Sequence, residues 1–154
     1  MKNLRTASLC ACFALCSLCS SAQEQKPPVN QPDHNKPLLF KGLPDRIPVN
    51  PGRLAELVTQ ELGNEITTSF TDKFPFSGQV ISTANNYGNS ITSVVIRSAN
   101  FPGARLTLSR IVIDGNTSYT GRILSMQHGD LFELQQKDGE YLFIKKNYYD
   151  LVNE

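Results

Sequence analysis

The chain has 154 residues, four cysteines, two histidines and no tryptophan, with a formal charge of +1. All four cysteines (Cys10, Cys12, Cys16 and Cys19) fall in a start that reads as an export signal. Its loss excludes a disulfide scaffold, a thiol nucleophile and a cysteine-based zinc site from the rest. A near-neutral balance without a basic stripe or an acidic run argues against nucleic acid as partner and against a multi-carboxylate calcium cage.

Residues 1–22 have the layout of a signal peptide: Lys2 and Arg5, an apolar run over Leu9–Leu18, then Ser20-Ser21-Ala22 as small residues before Gln23. The apolar run is roughly half the ~20 residues a membrane span needs. Lipid attachment is not expected, because Cys19 follows Leu18, with Cys16 two residues before that. Cleavage removes Lys2 and Arg5 and turns the formal charge from +1 to −1. The expectation is an exported protein (periplasmic, cell-surface or extracellular) with no transmembrane segment after cleavage. Residues 23–37 are rich in proline and poor in apolar side chains, which predicts a disordered linker.

A single domain is expected over 38–154, long enough to bury a core without staples. Leu38-Leu39-Phe40 looks like a docking segment, and Pro44, Pro48 and Pro51 keep the following chain extended. A helix is predicted over about 51–62. Asn50 serves as its cap, Pro51 stands at the first position, and Leu54, Leu57, Val58 and Leu62 form one stripe, with Gly63 ending it.

From Glu65 onward the apolar period is two. Strands are predicted at Glu65–Thr71, Phe76–Thr83, Ile91–Ser98, Arg105–Ile113, Thr117–Met126, Leu131–Lys137 and Glu140–Lys146. Leu106 and Leu108 share a face while Ile111 and Ile113 fall on the other, which predicts a bulge near Ser109-Arg110. Asp114-Gly115 and Asp138-Gly139 are hairpin signals. The fold class is therefore mainly β: an antiparallel meander of six to seven strands forming a small barrel or sandwich, with one N-terminal helix packed on it.

Chemistry has little to work with. A hydrolase would need His128 as base, with Asp130 beside it, yet no serine stands in a nucleophile elbow. Two histidines, one of them (His34) in the linker, do not make a zinc site. Asp114-Gly115-Asn116 is explained by a turn without calcium. No catalytic, metal or cofactor residue is assigned. Arg97, Arg105, Arg110 and Arg122 lie on neighbouring strands and read as a solvent-facing row.

Ser118-Tyr119-Thr120-Gly121-Arg122-Ile123, Asp130–Leu134 and Asp138–Ile144 share a recurring shape: Tyr-x-Gly-x-Ile, a gap, an alternating strand, a glycine turn and a closing strand. This resembles the β-rich propeptide segment of secreted adamalysin-type zinc metallopeptidases, whose domain packs on the peptidase and keeps it latent. The latency cysteine of that family is absent here, and no His-Glu-x-x-His peptidase motif is present in the chain. The resemblance implies a stand-alone module acting in trans, or a cut-off relic.

The functional expectation is an exported, non-catalytic β-domain that binds another extracellular or cell-surface protein, or an extracellular polymer. The expected contacts are the Asn85–Asn89 loop, with Asn86, Tyr87 and Asn89, and the tail residues Tyr148 and Tyr149. Two alternatives stand beside it: a pro-domain-like inhibitor of a secreted metallopeptidase, and a small barrel holding an apolar ligand.

Overall fold

The computed structural model describes residues 35–151. The expected signal and residues 23–34 of the expected linker lie outside them. Eight strands and one helix follow in order: β1 (Arg46–Val49), α1 (Pro51–Val58), β2 (Glu65–Thr71), β3 (Phe74–Asn86), β4 (Ile91–Ser98), β5 (Arg105–Ile113), β6 (Asn116–Leu124), β7 (Asp130–Lys137) and β8 (Glu140–Asn147). The strands form one antiparallel sheet in the order β1-β8-β7-β6-β5-β4-β3-β2. Strands β2 to β8 are a meander, and β1 lies beside β8.

The sheet has one strand more than the sequence reading allows. Arg46–Val49 hides among prolines, yet it pairs with β8 from Arg46↔Ile144 to Val49↔Tyr141. Pro48 is tolerated because β1 is an edge strand, where one ring nitrogen without hydrogen need not cost a ladder bond.

The sheet curls into a half-barrel, so strands distant in its order meet across the core. The Phe70 ring of β2 lies 5.0 Å from Phe143 of β8, and Phe74 of β3 lies 5.4 Å from Phe132 of β7. Curvature comes from two bulges, between Ser69 and Thr71 and between Val80 and Ser82. It also uses two glycines. A Cβ at Gly121 would stand 2.6 Å from the Thr107 carbonyl oxygen, and one at Gly78 would run into the Arg97 carbonyl.

The bulge expected near Ser109-Arg110 is absent. β5 keeps continuous register with β4 and with β6 along its length. The apolar phase slips because the strand outruns the core: Leu106 and Leu108 are buried, whereas Ile113 is 64% exposed. Both hairpin turns are as expected, with positive φ at Asp114 and Gly115 and at Asp138 and Gly139.

Helix α1 closes one side of the core with Leu54, Leu57 and Val58. Asn50 caps it, accepting from the Gly52 N–H at 2.7 Å, and Pro51 takes the first turn. It ends four residues before the expected Leu62. Thr59 Oγ1 donates to the Glu56 carbonyl at 2.9 Å and Gln60 Nε2 donates to that same carbonyl at 3.2 Å, so side chains replace the next helical turn. Leu62 is 65% exposed and leaves the stripe. Gly63, with φ of 89°, turns the chain and donates its N–H to the Val80 carbonyl at 2.9 Å.

The docking segment begins earlier than Leu38. Gly129 N–H donates to the Pro37 carbonyl at 3.0 Å, and the Lys36 ammonium donates to the Met126 carbonyl at 2.9 Å. Lys36 and Pro37 therefore belong with the folded part and not with the linker. Phe40 is fully buried against Phe132 and Phe101. Among the described residues no helix is long and apolar enough to cross a membrane.

Candidate functional site

One end of the half-barrel differs from the rest. There β3 and β4 extend past the core into the turn Tyr87-Gly88-Asn89, all three residues with positive φ. Tyr87 is 82% exposed and is the most exposed large apolar side chain of the described residues. Asn86 and Asn89 flank it, also exposed. Ser90 N–H donates to the Tyr87 carbonyl at 3.2 Å, and Val112 N–H donates to the Ser90 carbonyl at 2.8 Å. The second bond ties this turn to the end of β5, which carries the exposed Ile113.

The inner face also changes character at this end. Alternation along β4 places Thr92 on the side of Val94 and Ile96, and along β5 it places Arg110 on the side of Leu106 and Leu108. The bulge in β3 brings Thr83 opposite Val94 and Asn85 opposite Thr92, so both join that face. Four polar side chains thus continue a wall that is elsewhere Val, Ile and Leu. They line a groove of about 430 Å³, with Thr59, Gln60, Glu61 and Leu62 across from them. Arg110 Nη2 donates to Thr92 Oγ1 at 3.2 Å, while its Nε is buried and bonds to no group.

Arg110 therefore does not belong to the arginine row expected from the sequence. The other three do share the outer face: Arg97 stands opposite Arg105, and Arg122 stands opposite Thr107. Arg122 is engaged by Glu133 at 3.2 Å, and Lys146 reaches the other Glu133 oxygen at 2.7 Å. Burial pushes the Glu133 carboxyl up, but bonds from Lys146, Gln135 and Arg122 and the Lys146 charge outweigh it. The result lies below the ordinary carboxylate value. This is an ion-pair network on the back of the sheet.

His128 and Asp130 do not form a dyad. His128 Nδ1 lies 2.8 Å from Ser125 Oγ, and that serine is buried. The Asp130 oxygens accept instead from the backbone N–H groups of Leu39 and Phe40, at 2.7 and 2.8 Å. Both contacts hold the chain together. Among the described residues no group of three or more His, Cys, Asp or Glu is placed to hold a metal ion.

The two tail tyrosines separate. Tyr148 is half-buried, with the Lys36 ammonium 4.8 Å from its ring centre and its hydroxyl 3.3 Å from Met126 Sδ. Tyr149 is 5% exposed, and so is not an exposed contact residue as expected. Tyr149 keeps the parity of Tyr141 and Phe143, the buried residues of β8, and sits in the short 3-10 turn Tyr148–Leu151 that follows that strand.

Sequence reading finds the turn through its Asn-Asn-Tyr-Gly-Asn composition. It misses Arg110, Thr92 and Thr83. The parity of Arg110 with Leu106 and Leu108 carries the signal, and assuming a bulge at Ser109-Arg110 erases it. The interior that an apolar ligand would occupy is filled by Phe40, Phe74, Phe132 and Phe143, all fully buried. No protein-family model, curated protein or solved structure matches the chain.

Proposed function

We propose that the domain is a non-catalytic binding module that contacts an exported protein or extracellular polymer through the β3–β4 turn and the adjoining end of β5. The observation that carries the reading is Tyr87, a large ring held almost wholly in solvent on a left-handed turn. Exposed aromatic side chains on defined backbone serve as contact anchors, since they present much area and lose little rotamer freedom. Ile113, also exposed and tied to the same end through Val112 and Ser90, extends the surface. The test is a binding screen of the purified domain against immobilised extracellular polymers and secreted proteins, repeated with Tyr87→Ala and Ile113→Ser. Loss of binding at unchanged melting temperature is expected. Undiminished binding by both variants sinks this reading.

A second reading, a pro-domain-like inhibitor of a secreted metallopeptidase, is supported by residues 118–144. They form the continuous meander β6-β7-β8, with Gly121 packed against the Thr107 carbonyl. It expects the purified domain to slow a co-secreted metallopeptidase, and absence of inhibition removes it.

A further inference from the structure

We infer that the groove beside Tyr87 is a subsite for an acidic saccharide, in which Arg110 takes the uronate carboxylate. This rests on the contact face proposed above and names what that face recognises.

Arg110 stands where the inner wall of the half-barrel has its next core position after Leu106 and Leu108. A guanidinium half-withdrawn from water loses hydration and needs acceptors in return. The protein supplies one, the Thr92 hydroxyl, and leaves Nε without any. Glu61 is the one acidic residue lining the groove, and it makes no ion pair with Arg110 among the described residues. A carboxylate matches the flat donor fork of arginine, whose Nε and Nη2 share one edge.

The remaining lining selects the kind of molecule that bears the carboxylate. Thr83, Asn85 and Asn89 offer a hydroxyl and two amides, groups that both donate and accept, while Thr59 and Gln60 already donate to the Glu56 carbonyl. That mixture suits sugar hydroxyls, which do the same. An acidic peptide shares the carboxylate but not the ring hydroxyls. The groove volume of about 430 Å³ lies in the range of small-molecule sites, roughly 300–1,000 Å³. Tyr87 lies between the lining residues Asn85 and Asn89 in the chain and is not itself part of the groove wall.

Amide chemical shifts of the full domain, titrated with trigalacturonate, its methyl ester and triglutamate, test this. Trigalacturonate is expected to move Thr83, Asn85, Thr92 and Arg110. The uncharged ester is expected to bind about tenfold or more weakly, as is trigalacturonate to Arg110→Gln. Arg110→Lys, which keeps the charge without the fork, should bind closer to Arg110→Gln than to the parent. Equal binding of ester and acid, stronger shifts with triglutamate, or no shifts at these residues in the unmodified domain overturns the inference. Shifts there that survive Arg110→Gln overturn the arginine's role. If Tyr87→Ala alone abolishes partner capture while trigalacturonate leaves the groove unmoved, the contact face stands and the saccharide subsite fails. If trigalacturonate binds and neither Tyr87→Ala nor Ile113→Ser changes partner capture, the wider contact reading fails by itself.

Discussion

Asp130 accepts the backbone N–H of Phe40 at 2.8 Å, across ninety residues of chain. Its other oxygen takes the Leu39 N–H at 2.7 Å, and the carboxylate is only 3% exposed. One side chain thus replaces the ladder partners that a non-strand segment lacks, and it seats the Phe40 ring on Phe132, 5.0 Å away. Asp130→Ala leaves two shielded N–H groups unpaired and is expected to cost about 3 kcal/mol. Urea unfolding measures it, and a loss under about 1 kcal/mol means the segment is not held this way.

Glu133 gives a pH dependence of known sign. Its folded pKa lies below the ordinary 4.5, so its contribution is present above that value and is lost as pH falls through the folded one. Glu133→Gln should be less stable than the parent at pH 7, by about 1 kcal/mol, and the gap should close in acid. Melting temperatures of both proteins between pH 7 and pH 3 check the convergence; parallel curves contradict it.

At Gly121 the expected effect is steric. A methyl group there meets the Thr107 carbonyl oxygen at 2.6 Å and Leu108 Cδ1 at 3.3 Å. Gly121→Ala should destabilise by about 1–3 kcal/mol by forcing β5 and β6 apart. Gly115, whose added Cβ meets nothing within 4 Å, lies in the preceding turn, between β5 and β6. Its φ of 77° makes Gly115→Ala a strain control of a different origin.

Two leucines separate the observed helix end from the expected one. Leu57 is buried in the core and Leu62 is exposed. Leu57→Ala should cost about 2–4 kcal/mol, and Leu62→Ala less than about 0.5 kcal/mol. Comparable losses at both positions would mean that the helix runs on to Leu62 in solution.

Strand bounds and turns that rest on local signals are legible in the sequence. Ile91–Ser98 and Arg105–Ile113 have the bounds that alternation predicts, and Asp-Gly marks two of the turns. Legibility fails where the partner lies far off in sequence. β1 is too short and proline-rich to show a period, and only its pairing with β8 makes it a strand. The site was half legible for the same reason. The turn at Tyr87 is local chemistry, whereas the groove depends on a bulge in β3 that shifts Thr83 and Asn85 onto the face of Arg110. Tyr149 lies beyond the last strand, yet it keeps the parity of the buried Tyr141 and Phe143, so its burial was legible in the alternation of β8.

The strand order also sets a sequence of events for the nascent chain. β1 emerges first, but its neighbour β8 is the last strand made, while β2 waits at the opposite edge. The meander can zip hairpin by hairpin from either Asp-Gly turn, since those contacts are local. Phe40 and Ile47 find their places only after the final hairpin exists, and closing that long loop is the entropically expensive step. Until then the open channel of phenylalanines is uncovered. The part of the domain that is synthesised first is therefore the part that completes it last.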